Sequence, residues 1–215
     1  MTVAAEPPLA GSDMTSVYDL KPRFQSLLRP LSRHLVKRGV RPNHVTLVAL
    51  VGSCMVGAFL VGAGPLTFSF LLLPVWLFVR MALNALDGMM AREHALATRL
   101  GAALNELGDI GADVALYLPL GMIAPGAVWP AVAFAFTASA TETCGILAQA
   151  LGSGRRYDGP MGKSDRALLV GAMGLVAAIW PASTKAWWVV LWIGSALALW
   201  TCANRIRAAL RPEES

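Results

Sequence analysis

Six long apolar stretches, parted by short segments that gather most of the charge, constrain this chain more than any other feature of its sequence. They run approximately over Asn43–Val61, Leu66–His94, Leu100–Ala124, Val128–Gly152, Ser164–Trp180 and Lys185–Ala208. About 20 apolar residues is the length an α-helix needs to cross the hydrocarbon core of a bilayer, where every backbone polar group must be satisfied internally. Composition agrees: 56% of residues are hydrophobic and 14% charged, with a mean hydropathy of +0.56. A soluble domain carries about a quarter of its residues as charges. The expected fold is therefore an all-α integral membrane protein of six transmembrane helices.

Charge placement orients the spans. The connections Gly62–Pro65 and Pro125–Ala127 carry no charge, and Pro181–Thr184 carries none before Lys185. The opposite side holds Arg38 and Arg41, then Arg92 and Arg99, then Arg155, Arg156, Lys163 and Arg166, and finally Arg205, Arg207 and Arg211. Positive residues favour the cytoplasmic side, so both termini and the even-numbered junctions are expected there, in an inner (cytoplasmic) cell membrane. The net charge of +5 is thus loop charge, which argues against a nucleic-acid partner. Cys54, Cys144 and Cys202 fall inside apolar spans without metal-ligand spacing and read as small buried hydrophobes.

Residues 1–19 hold Pro7, Pro8, Gly11, Glu6 and Asp13 and lack a basic stretch followed by an apolar core. They read as a disordered cytoplasmic tail and not as a signal peptide. Over residues 20–38, Leu20, Phe24, Leu27, Leu28, Leu31 and Leu35 fall on one helical face while Lys21, Arg23, Arg29, Arg33 and Lys37 take the rest. Such a segment lies in the headgroup plane as an amphipathic interfacial helix, bent or divided at Pro30. Residues 43–208 form the transmembrane domain, and 209–215 a C-terminal cytoplasmic tail.

Ionisable groups within a membrane are costly and are functional candidates by default. Here they are Arg80, Asp87, Glu106, Asp109, Asp113 and Glu142. Asn84 and Asp87 are three apart, and Asn105, Asp109 and Asp113 are spaced by four, so each set shares a helix face near a cytoplasmic end. The second and third spans are antiparallel and joined by a short loop, which lets the two faces meet as an oxygen-ligand site suited to Mg²⁺ or Mn²⁺.

The run Asn84-Ala-Leu-Asp87-Gly88-Met-Met-Ala91-Arg92, followed at fixed distance by Gly101, Asn105 and Asp109, resembles the signature of the CDP-alcohol phosphotransferase family, D-x2-D-G-x2-A-R-x8-G-x3-D-x3-D. Every spacing is kept, and Asp87, Gly88, Ala91, Arg92, Gly101 and Asp109 match. The resemblance implies a membrane phosphotransferase of phospholipid biosynthesis. A CDP-linked lipid, CDP-diacylglycerol above all, would donate its phosphatidyl group to a small polar alcohol with release of CMP. The implied cofactor is Mg²⁺ or Mn²⁺, one or two ions, on Asn84, Asp87, Asn105 and Asp109. Asp109 would be the general base, and Gly88, Ala91, Arg92 and Gly101 would hold the nucleotide and diphosphate. Arg41-Pro42-Asn43-His44-Val45-Thr46 resembles the family element that leads into the first helix, which adds Asn43 and Thr46 to that set. The family commonly forms homodimers, so the resemblance implies one.

The chain departs from the pattern at Asn84 and Asn105, where the family has aspartates. Asn ligates through its carbonyl oxygen, more weakly than a carboxylate. One metal then suffices, or Glu106, Asp113 or Glu142 supplies the missing charge, or catalysis is lost. Arg80 lies one face with Asp87 but deeper, and Asp113 one turn deeper than Asp109, which predicts a structural ion pair Arg80–Asp113 with Glu142 as the competing partner. The glycine-rich loop from Gly152 to Arg166 ends at a helix start; Lys163 and Arg166 are expected to hold a phosphate there, which the resemblance implies to be the acceptor's. Rival readings are a silent CDP-lipid-binding protein on the same fold, a transporter using the buried Asp and Arg residues, and a CDP-choline or CDP-ethanolamine donor with diacylglycerol as acceptor.

Overall fold

The computed structural model describes residues 17–64 and 67–211. Residues 1–16 of the expected N-terminal tail, residue 65 of the first connection, residue 66 at the start of the second expected span and residues 212–215 of the C-terminal tail lie outside the described residues. The chain is all helical, with no strand among the described residues. Its elements are α1 (Val17–Lys37), α2 (Pro42–Ala63), a short α3 (Thr67–Phe70), α4 (Leu72–Glu93), α5 (Arg99–Ile123), α6 (Val128–Ala150), α7 (Lys163–Ile179), a 3-10 turn (Pro181–Ala186) and α8 (Trp187–Ala209).

Local chemistry sets the helix starts. Pro42 opens α2 at its first position, where the missing N–H costs nothing. Thr98 caps α5 by accepting from Gly101 N at 2.9 Å. The carboxylate of Asp165 reaches back to Gly162 N at 2.9 Å and fixes the start of α7. The second expected span proves to be two pieces, because Pro74 has no N–H for the Phe70 carbonyl, and the chain breaks at Leu71 between α3 and α4. Pro30, in contrast, sits within α1 as a single element through Lys37.

Two prolines, Pro119 within α5 and Pro74 in the first turn of α4, also organise the packing. Pro119 leaves the Ala115 carbonyl without its helical donor. That oxygen lies 2.0 Å from where a Cβ would stand on Gly57 of α2. In the same way, the freed Phe70 carbonyl lies 2.7 Å from the Cβ position of Gly174 in α7. Only glycine lets the neighbouring backbone come this near, and its Cα–H is then turned toward the orphaned oxygen. The core between the helices holds Leu60, Leu77, Leu120, Phe134, Val170 and Leu191. α2 packs on α4 and α5, α5 on α6, α6 on α8, and α4 on α7. α1 lies against α4 through an edge contact of Phe24 with Phe78, ring centroids 6.0 Å apart, and an Arg29–Glu93 ion pair at 3.0 Å.

The polarity of this bundle is inverted relative to a soluble protein. Leu107, Met122, Trp129, Phe136 and Ile179 are among the most exposed side chains, while Arg80, Asp87, Asp109, Asp113, Glu142 and Arg166 are all buried. Such a surface suits hydrocarbon and not water. Four helical segments among the described residues are long and apolar enough to cross a membrane: Pro42–Ala63, Phe68–Glu93, Val128–Ala150 and Pro181–Ala209. The other two expected spans fall outside that set for visible reasons. α5 carries Glu106, Asp109 and Asp113, and α7 has only 17 residues, about 25 Å against a hydrocarbon thickness of about 30 Å.

Candidate active site

The connection from Glu93 to Thr98 turns α4 back into α5, and their polar faces meet as the antiparallel arrangement demands. Asn84 Nδ2 donates to Asp109 Oδ1 across the two helices at 2.9 Å. The first turn of α2 closes one side. Thr46 Oγ1 donates to Asp87 Oδ2 at 2.8 Å, and also touches the Pro42 carbonyl one turn back at 3.2 Å. Asn43, from the same turn, rests on Gly101: its Oδ1 lies 2.7 Å from the position a Cβ would take there. Gly88 is covered by the Arg92 guanidinium, whose Nη1 is 3.2 Å from the corresponding position. Ala91 and Asn105 are half-buried on the same pair of helices, and Arg92 is exposed. The structure therefore gathers Asn43, Thr46, Asn84, Asp87, Gly88, Arg92, Gly101 and Asp109 at one end of α2, α4 and α5.

Beneath this cluster lies a chain of buried and half-buried charges that alternate in sign. Asp109 Oδ2 is bonded to Lys163 Nζ, and its Oδ1 also accepts from Arg80 Nη2 at 3.4 Å. Arg80 Nη1 reaches Asp113 Oδ1 at 2.5 Å. Asp113 Oδ2 accepts from Arg166 Nη2 at 2.9 Å and Nε at 3.1 Å. Arg166 Nη2 reaches Glu142 Oε1 at 2.8 Å, and Glu142 Oε2 accepts from Arg155 Nη2 at 3.0 Å. Arg155 closes the chain on Glu106. Four cations thus meet four carboxylates in strict alternation. Neutrality along the chain is what allows so many charges to stay out of water.

Some sequence expectations take a different form here. Arg166 is 0% exposed and makes five hydrogen bonds, to Asp113 twice, Glu142, Thr141 Oγ1 and the Met161 carbonyl. It is a strut between α5, α6 and α7. Glu142, weighed as a partner of Arg80, pairs instead with Arg166 and Arg155. A signal for Arg166 existed: it precedes Val170, Met173 and Ala177 at helical spacing, so it shares the inward stripe of α7. Sequence reasoning missed the Lys163–Asp109 and Thr46–Asp87 contacts. They join elements far apart in the chain, and spacing within one helix does not reveal them.

A divalent ion needs oxygen donors. Among the described residues no group of three or more His, Cys, Asp and Glu side chains forms a metal cage. Asp87 has one carboxylate oxygen on Thr46, and the amide oxygens of Asn84 and Asn105 stand on the facing helices. Both oxygens of Asp109 accept from nitrogen donors. Such a set fits one hard cation that completes its shell with water. It is short of the carboxylates that two ions would require.

The model of the CDP-alcohol phosphatidyltransferase family matches residues 40–200. The chain is 50% identical over 197 residues to inner membrane protein YnbA of Escherichia coli, covering 91% of this chain and 96% of that one. It is 29% identical over 202 residues to the phosphatidylinositol phosphate synthase of Mycobacteroides abscessus, with 86% and 84% covered. Among solved structures, the phosphatidylinositol phosphate synthase of Mycobacterium tuberculosis with CDP-DAG bound superposes at a TM-score of 0.70 and 24% identity, over 86% of this chain and 94% of that one. The same synthase in complex with manganese and citrate gives 0.71 at 23% identity, over 86% and 90%, a likeness of fold. With three quarters of its length inside the family model and its buried polar cluster on the signature residues, this chain belongs to the CDP-alcohol phosphatidyltransferase family.

Proposed function

We propose that this protein moves a phosphatidyl group from CDP-diacylglycerol to the hydroxyl of a small polar alcohol and releases CMP. The observation that carries the reading is the meeting of Asn84, Asp87 and Asp109 with the Gly88–Arg92 and Asn43–Gly101 contacts at one end of the α2–α4–α5 group. The alcohol oxygen bonds to the β-phosphorus, the anhydride bond to CMP breaks, and Asp109 takes the hydroxyl proton. Arg92, Asn43 and Gly101 border the nucleotide and diphosphate, with Ala91 and Gly88 small enough for close approach. Mg²⁺ or Mn²⁺, held by Asp87 with the amide oxygens of Asn84 and Asn105, would neutralise the diphosphate.

The donor's tails have a matching surface. A groove of about 450 Å³ on the outer face of α2 and α4, lined by Leu47, Val48, Val51, Gly52, Met55 and Trp76, starts one residue beyond Thr46. In this reading the chain crosses an inner membrane six times as a homodimer, with both termini and the site on the cytoplasmic side and α1 in the headgroup plane. Support comes from the positive loops, from Leu27 and Leu31 standing exposed on α1, and from the inner membrane relative.

One observation favours a second reading, a CDP-lipid-binding protein without turnover: both Asp109 oxygens are engaged by donors. The separating experiment is CMP release from CDP-diacylglycerol by purified protein with Mg²⁺ or Mn²⁺ and pooled alcohols, beside Asp109→Ala. Acceptor-dependent CMP that disappears in the variant supports transfer. Metal-dependent lipid binding without CMP from any acceptor supports the silent reading.

A further inference from the structure

We infer that Lys163 is a built-in cation of the site: it occupies the Asp109 side and leaves room for a single divalent ion, on the Asp87 side. This rests on the reading above that a CDP-linked donor binds here. Asp87 and Asp109 are the two carboxylates at the meeting of α4 and α5, and their surroundings differ. Asp87 accepts from neutral donors, the Thr46 hydroxyl and the Gly88 backbone N–H. Asp109 is ringed by nitrogen donors on three sides: Asn84 Nδ2 and Arg80 Nη2 on Oδ1, and Lys163 Nζ on Oδ2. A carboxylate offers about four lone-pair sites, and these three donors use both on Oδ1 and one on Oδ2, the last with a full positive charge beside it that repels a second cation.

The remaining acids have no charge to lend. Asp113 and Glu142 are each shared by two guanidinium groups, and Glu106 holds Arg155. Arg80 is likewise spent on Asp113 and Asp109, so in this reading the ammonium of Lys163 and the exposed Arg92 are the cations left for the donor. A bound diphosphate and the two aspartates bring four negative charges. One divalent ion, Lys163 and Arg92 balance them; a second ion leaves an excess of two.

The position of Lys163 points the same way. It is the first residue of α7, where the helix dipole disfavours a cation. The Asp165–Gly162 cap at 2.9 Å fixes that helix start, and the Lys163 side chain bridges from it to Asp109 on α5. Lys163 is 29% exposed and Asp109 5%, so the ammonium closes the solvent side of the carboxylate.

Counting Mn²⁺ per chain on the detergent-purified full-length protein, by electron paramagnetic resonance with and without CDP, tests this without turnover. Wild type is expected to bind one ion in the presence of CDP. Lys163→Met should bind Mn²⁺ at least tenfold more tightly or take up a second ion, and Lys163→Arg, which keeps the charge, should behave as wild type. Two ions in wild type overturn the inference, as does an unchanged count and affinity in Lys163→Met. One ion in wild type that CDP neither recruits nor tightens, with the gain still seen in Lys163→Met, leaves the blocking role standing and the donor reading fallen; no ion in wild type beside one in Lys163→Met overturns the inference. No binding by any form overturns both.

Discussion

Replacing Arg166 by Met is the sharpest probe of how this bundle tolerates its charges. The side chain is 0% exposed and its five hydrogen bonds tie α7 to Asp113 on α5, to Glu142 and Thr141 on α6, and to the Met161 carbonyl. Met matches much of the stem's volume, so the change removes charge more than packing. Two carboxylates each lose one of their two cations while remaining buried at 1% and 3%. Removing one partner of a buried pair costs about 3–5 kcal/mol, most of it the desolvation of the charge left behind. The expected loss is about 4 kcal/mol, roughly a thousandfold in the unfolding equilibrium. Reversible unfolding of the reconstituted protein in mixed micelles, titrated with a denaturing detergent, measures it. Adding Glu142→Gln removes one of the two carboxylates that lost a cation and should restore about half of the loss. A single Arg166→Met variant within about 1 kcal/mol of wild type would refute the view that these charges hold one another in place.

Three further outcomes follow from the same contacts. Thr46→Val removes the hydroxyl on Asp87; a hydrogen bond to a charged group contributes about 1.5–3 kcal/mol, so kcat/KM should fall about tenfold or more. Gly101→Ala puts a Cβ 2.7 Å from Asn43 Oδ1 and should raise the KM for the CDP donor several-fold while leaving kcat nearly unchanged, as steady-state kinetics would show. Gly57→Ala drives a Cβ to 2.0 Å from the Ala115 carbonyl oxygen and should destabilise by about 1–3 kcal/mol. Gly62→Ala, which meets nothing within 4 Å, is its neutral control in the same denaturation assay.

Apolar length and loop charge placed a helix on each of the six stretches, because a bilayer permits few other solutions. The break at Leu71 is equally legible in Pro74, which offers no donor to the Phe70 carbonyl. The signature run located the site, since Asn84 with Asp87 and Asn105 with Asp109 share faces by helical period alone. What spacing did not carry was the pairing between distant elements. Lys163 and Arg166 look alike in a basic loop, yet three residues of helix rotation send one to Asp109 and the other into the interior. Glu142, expected to compete for Arg80, pairs with Arg166 and with Arg155, the latter from a loop whose course no periodicity describes.

Transfer itself is tested most directly with CDP-diacylglycerol labelled at the phosphate next to the lipid, incubated with reconstituted protein, metal and pooled alcohols, and followed by mass spectrometry of the lipids. The account predicts that the label stays with the lipid, now joined to an alcohol, that unlabelled CMP appears in equal amount, and that Asp109→Ala forms neither. Labelled phosphatidic acid, or intact donor that stays bound without a product under every acceptor, would contradict it.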